Sequence, residues 1–115
     1  MLGAIVGDII GSRFEFNNTK RTDFKLFTGK NTFTDDTVCT VAIADALLKS
    51  GGKDFQTLLI DWCRRYPDRG YGGRFYNWLI NRTQKPYNSF GNGSAMRVSS
   101  VAWFWVFCRG SVTVS

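Results

Sequence analysis

Three features of this 115-residue chain predict an all-α fold. Apolar residues recur three and four apart in four or five segments, and several of these are bounded by clear helix start and stop signals. No set of alternating segments reads as strands that could pair. The length fits one domain, and a 43% hydrophobic composition is enough for a core without disulfide staples.

The first segment places Leu2, Ile5 and Ile9 at helical spacing, with Gly3, Gly7 and Gly11 four apart on one line. Each glycine costs about 1 kcal/mol of helix propensity, so the line implies close approach, either by another helix or by a ligand. Residues 12–33 lose all periodicity and read as a long loop, a feature that is uncommon and often functional. Thr34-Asp35-Asp36-Thr37 then opens a helix carrying Val38, Val41, Ala42, Ala46 and Leu48, which Gly51-Gly52 stops. Asp54 is the expected cap of a third helix with Phe55, Leu58, Leu59, Trp62 and Cys63 on its apolar face. Tyr66-Pro67 ends it, and Phe75 to Ile80 fits a short fourth helix. Asn81 to Gly93 is a loop by its turn residues. Ser94 is the expected cap of a fifth helix carrying Met96, Val101, Ala102 and Trp105. Residues 109–115 are β-prone and polar, an atypical end.

Composition excludes several chemistries. The chain has no histidine, so a Ser-His-Asp triad, a Cys-His pair and a histidine zinc site are ruled out. Acid–base work falls to eight aspartates and the single glutamate, Glu15. Cys39, Cys63 and Cys108 are odd in number and lack C-x-x-C spacing, which favours a reducing, cytoplasmic setting. The N-terminus has no basic region of a signal peptide, and no apolar run reaches membrane-spanning length. Fifteen Lys and Arg against nine Asp and Glu give a net charge of +6, which suits either an anionic partner or a solubilising surface. The basic residues form no dense run, so a dedicated nucleic-acid groove is not indicated.

Two motifs could carry chemistry. Thr34, Asp35 and Asp36 offer adjacent hard oxygen ligands at a helix start, which suits a divalent metal. Thr34 as N-cap, with two carboxylates complementing the helix dipole, explains the same letters. Asn88 to Arg97 is a glycine-rich loop running into a helix, and its exposed backbone N–H groups suit a phosphate. It lacks the Gly-Lys-Ser/Thr of a P-loop, and a plain capped loop is the alternative. Asp8, inside the glycine-lined helix, reads most simply as a helix-to-helix hydrogen-bond partner.

Taken in order, Gly3 to Ser12 with Glu15, Phe33 to Thr37, and Gly91 to Ser99 resemble the ADP-ribosylglycohydrolase family. The resemblance implies an all-α, compact helical domain and a hydrolase that binds two Mg²⁺ or Mn²⁺ ions and releases ADP-ribose from an acceptor residue. It implies Thr34, Asp35 and Asp36 as metal ligands, with Glu15, Asp35 and Asp36 catalytic. Gly91, Asn92, Gly93, Ser94 and Met96 would line the ADP-ribose pocket. Family members are considerably longer, and their second ligand cluster has no counterpart after Thr37. The chain therefore reads as a truncated form, with residues 1–107 family-like and 108–115 an atypical tail. Ser100 stands where the family usually has proline. A missing half would expose Trp62, Trp78, Trp103 or Phe104 and promote self-association. The alternative function is an inactive homologue that at most binds ADP-ribose or a partner protein.

Overall fold

The computed structural model describes residues 1–108; the β-prone tail expected over 109–115 lies outside the described residues. Six α-helices follow one another: α1 (Leu2–Gly11), α2 (Asp35–Ser50), α3 (Phe55–Arg65), α4 (Gly73–Ile80), α5 (Gly93–Met96) and α6 (Ser99–Cys108). A single 3₁₀ turn, Ser12–Phe14, extends α1. The described residues contain no strand.

Helix α2 is the hub, touching α1, α3, α5 and α6. Its small residues make this feasible: Ala42 and Ala46 are wholly buried, and Cys39 and Thr40 nearly so. Gly51 ends it in the left-handed conformation at φ 63°, donating to the carbonyls of Ala46 and Leu47. Val38, Cys39 and Ala42 pack with Leu59 and Cys63 of α3 and Leu79 of α4, and Phe33, Ile60, Trp62, Tyr71, Phe75 and Trp78 close around them. The Cys39 and Cys63 sulfurs lie 3.8 Å apart. That contact and burial push the Cys39 thiol up, so it stays protonated and inert. Arg64 donates twice to the Leu79 carbonyl, at 3.2 and 2.7 Å, tying α3 to the end of α4.

Three expectations are corrected. Asp54 occupies the position before α3, but its side chain makes no capping bond. Ser50 Oγ ties the turn before the helix instead, accepting from the N–H groups of Lys53 and Asp54 at 3.1 and 3.2 Å. The fifth helix is two helices, and Asn92, not Ser94, precedes the first of them. Arg97 Nε donates to the Gly93 carbonyl at 2.5 Å and so occupies the acceptor that a continuing turn would need. The glycine line of α1 packs against no helix: a Cβ at Gly3, Gly7 or Gly11 would meet nothing within 4 Å.

The molecule measures 46 × 43 × 24 Å, about two helix diameters thick. Helix α6 packs on α2, where buried Ser100 donates to the Thr40 carbonyl at 2.9 Å. Its other side leaves Trp103, Val106 and Phe107 exposed. Trp62, Trp78 and Phe104, by contrast, are half-buried. No helix among the described residues is long and apolar enough to cross a membrane.

The Leu59 side chain is 9% exposed and Leu48 on α2 is 77% exposed. Leu59→Ala should therefore cost about 2–5 kcal/mol in urea unfolding, and Leu48→Ala about 0.5 kcal/mol or less.

Candidate functional site

The site begins with the end of α1 and the loop that returns from it. Arg13 anchors that loop: its guanidinium lies over the Phe14 ring at 4.5 Å and donates to the Lys25 carbonyl. Asn31 then caps α1, donating through Nδ2 to the carbonyls of Ile9 and Ile10 at 2.8 and 3.3 Å. Ser12 Oγ accepts from the Thr32 N–H at 3.1 Å. On the far side, Arg69 lies over the Phe33 ring at 3.7 Å, and its carbonyl accepts from the Asp35 N–H at 2.7 Å. The chain is thus gripped from both sides as it enters α2.

Asp8 makes the decisive contact. Its Oδ1 accepts from Thr34 Oγ1 at 2.6 Å, and its Oδ2 accepts from the Thr34 N–H at 2.8 Å, the Thr37 N–H at 3.3 Å and Thr37 Oγ1 at 2.6 Å. The helix-to-helix role expected for Asp8 is therefore what the structure shows, with both threonines of the motif as its donors. Thr34 Oγ1 also accepts from the Asp36 N–H at 3.3 Å, which is the expected N-cap.

This clamp places Asp35 and Asp36 beside Asp8 and Glu15. Burial, then the charges of Asp36 and Glu15, push the Asp35 carboxyl up to about 6, against a smaller opposing hydrogen bond from Thr34. Burial, then Asp8 and Glu15, push Asp36 up as well, while Arg97 opposes the shift. The four carboxylates make one wall of an open cleft of about 1100 Å³. Gly7 and Gly11 line it, so the glycine stripe of α1 keeps the cleft clear of side chains.

The opposite wall is the glycine-rich loop. Gly91, Asn92, Gly93, Ser94 and Met96 all line the same cleft as Glu15, Thr34, Asp35 and Asp36. Every candidate residue from the sequence thus surrounds one space. The loop's donors are narrower than the sequence suggests: the Gly91 N–H is taken by Ser89 Oγ at 3.2 Å, which leaves those of Asn92, Gly93 and Ser94. The helix behind them has only four residues, so its dipole adds little.

Sequence reasoning missed the cations and rings of this wall. Arg97 folds back over Gly93, with its guanidinium 5.4 Å from the Phe75 ring centroid. Arg74 lies over Phe90 at 4.3 Å and donates to the Asn88 carbonyl at 2.6 Å. Phe75 and Trp78 are stacked at 5.7 Å. A signal for them was present: up to residue 68 nine basic and nine acidic residues cancel, whereas residues 69–115 hold six basic residues and no acidic one. The cleft is therefore polarised, carboxylates facing cations.

The oxygen donors of Thr34, Asp35 and Asp36 suit a hard divalent cation chemically, and such an ion would relieve the repulsion that raises both aspartates. Among the described residues, no three acidic, cysteine or histidine side chains are placed to hold a metal between them. Any ion on this chain would therefore draw much of its shell from Thr34 and water.

Two outcomes follow for the chain without added metal. Between about pH 4 and 6 the folded state binds more protons at Asp35 than the unfolded chain does, so stability should fall as pH rises through that window. Asp35→Asn should flatten the slope and gain about 1–2 kcal/mol at pH 7 by thermal unfolding, after allowance for solvent screening. Asp8→Asn should do the reverse, costing about 2–3 kcal/mol in the same assay, because an amide nitrogen would face N–H and O–H donors.

The family model described as ADP-ribosylglycohydrolase matches residues 1–111. The protein named ADP-ribosylhydrolase ARH3 from Xenopus tropicalis is 28% identical to this chain over 89% of the chain and 37% of its own length. The chain thus spans little more than a third of that relative. No solved structure matches it. With the model covering all but four residues at one end, the chain belongs to the ADP-ribosylglycohydrolase family.

Proposed function

We propose that the cleft binds ADP-ribose, and that the protein removes it from an acceptor residue by hydrolysing the glycosidic bond. The observation that carries this reading is the polarised cleft, with the carboxylates at the start of α2 facing the glycine loop and two arginines. ADP-ribose has matching ends: an anionic diphosphate for the cationic wall and a hydroxyl-rich ribose for the acidic one.

In this reading the N–H groups of Asn92, Gly93 and Ser94 and the guanidinium of Arg97 hold the diphosphate. Met96 and the Phe75–Trp78 stack supply apolar contact, and Gly7 and Gly11 leave room for the sugar. Glu15 stands at the exposed edge of the acidic wall. It takes a proton from water as the water oxygen bonds to the anomeric carbon; the bond to the acceptor breaks, and the acceptor leaves with the proton that Glu15 gives back. Thr34, Asp35 and Asp36 would hold a Mg²⁺ or Mn²⁺ ion, whose charge would fix the ribose hydroxyls there. A binuclear centre would need ligands beyond those of the described residues.

A second reading, in which the chain binds ADP-ribose without turnover, is favoured by the ligand set itself, since no three acidic, cysteine or histidine side chains among the described residues gather around one metal position. Calorimetric titration of ADP-ribose with and without Mg²⁺ tests the first step. The expected result is Mg²⁺-dependent binding that weakens at least tenfold in Asp35→Ala and Asp36→Ala. ADP-ribose release from an ADP-ribosylated protein then separates the two readings, and no binding by a folded chain overturns both.

A further inference from the structure

Arg97 is where the two walls of the cleft come closest to acting on one another. Its Nε donates to the Gly93 carbonyl, but the two amino groups of its guanidinium make no hydrogen bond or ion pair among the described residues. The guanidinium is held in place all the same. It lies 5.4 Å from the ring centroid of Phe75, and that ring packs on the cluster to which Val38 and Cys39 of α2 belong. Both of those residues follow Asp36 within one helical turn, and α5 itself touches α2. The positive charge is therefore kept beside the turn that carries Thr34, Asp35 and Asp36, and it opposes the upward shift of the Asp36 carboxyl. Arg74, the other arginine of the wall, lies over Phe90 instead.

We propose that Arg97 couples a divalent ion to ADP-ribose: with no anion beside it, its charge opposes an ion at Thr34, Asp35 and Asp36, and a diphosphate drawn to the guanidinium lifts that opposition. This rests on the ADP-ribose reading of the cleft. The sign follows from charge alone. The ion and the guanidinium repel one another and are attracted by the same carboxylates, so each weakens the hold of the other. A diphosphate neutralises the guanidinium and leaves the carboxylates to the ion. The two amino groups without a partner are the donors that a diphosphate would take, while Nε stays on Gly93. Linkage makes the effect reciprocal: whatever factor ADP-ribose adds to the affinity for the ion, the ion adds to the affinity for ADP-ribose.

Electron paramagnetic resonance of Mn²⁺ titrated with the full chain tests the proposal, because loss of the aqueous Mn²⁺ signal reads ion binding without any need of turnover. Arg97→Met keeps an apolar contact with Phe75 and Arg97→Gln keeps a polar one with Gly93, and both remove the charge. Each should bind Mn²⁺ alone roughly threefold tighter or more, whereas a folding defect would weaken binding. Arg97→Lys should stay near the parent. Arg74→Met should stay there too, since its lost charge is not one that acts on Asp36. In the parent, ADP-ribose should tighten Mn²⁺ binding, and that factor should shrink several-fold in Arg97→Met and Arg97→Gln. Unchanged or weaker Mn²⁺ binding by both of these variants in folded form overturns the proposal, as does an equal gain in Arg74→Met or a folded chain that binds no Mn²⁺. A gain on removing the Arg97 charge, with no response to ADP-ribose in any variant, overturns the reading of the cleft instead and leaves Arg97 as the ion's competitor.

Discussion

The carboxylate of Asp8 is the contact on which the site depends. Its two oxygens accept four hydrogen bonds from Thr34 and Thr37, and through them α1 fixes the direction in which α2 starts. Once α2 starts there, Asp35 and Asp36 share a half-buried space with Asp8 and Glu15. The fold therefore assembles a repulsive cluster and holds it with four hydrogen bonds accepted by the two oxygens of Asp8. An interior arranged for stability alone would place apolar groups here. Retained strain of this kind is common at binding and catalytic centres.

The cationic wall answers the acidic one across open space. Arg97 is the one cation that reaches back electrostatically to Asp36, and it does so by folding over Gly93 and breaking the helix that would otherwise continue. A Cβ at Gly93 would fall 2.7 Å from the Arg97 guanidinium, so glycine at this position allows the arginine to cross. The break between α5 and α6 is thus part of how the cleft becomes polarised. Helix α6 is then free to lie on α2, with Ser100 bonded to the Thr40 carbonyl at the contact.

Much of this was legible in the residues. The start and stop of α2 follow from a threonine cap, two first-turn carboxylates and Gly51-Gly52, all local effects that need no tertiary context. The grouping of Glu15, Asp35 and Asp36 with Gly91 to Met96 was legible only through resemblance, since no local rule brings residues so far apart together. Other features were hidden because long-range contacts decide them. Asp54 makes no capping bond, and Ser50 ties the turn before α3 because the glycine turn carries it back to the Lys53 and Asp54 amides. The glycine stripe of α1 has two physical explanations with the same spacing, and only the structure shows open space beside it. The basic wall was present in the charge distribution, but the side chains reach it by folding back, which spacing does not encode.

The same reasoning explains why a two-layer slab can carry a site without enclosing it. The core gathers on α2, α3 and α4, and it needs only Val38, Cys39, Ala42, Leu59, Cys63 and Leu79 at its centre. Neither α1 nor the outer side of α6 is needed to close that core: α1 buries no residue, and Trp103, Val106 and Phe107 face outward. A helix that is apolar on all sides is stabilised by cover on every side, and the outer side of α6 leaves Trp103, Val106 and Phe107 facing water. The carboxylate cluster is unbalanced for a parallel reason, as among the described residues Arg97 alone acts against the charge of Asp36 and no cation is set against that of Asp35. Asp35 and Asp36 begin α2 and α6 packs on it, so the crowded charges and the exposed apolar side bear on the same helix.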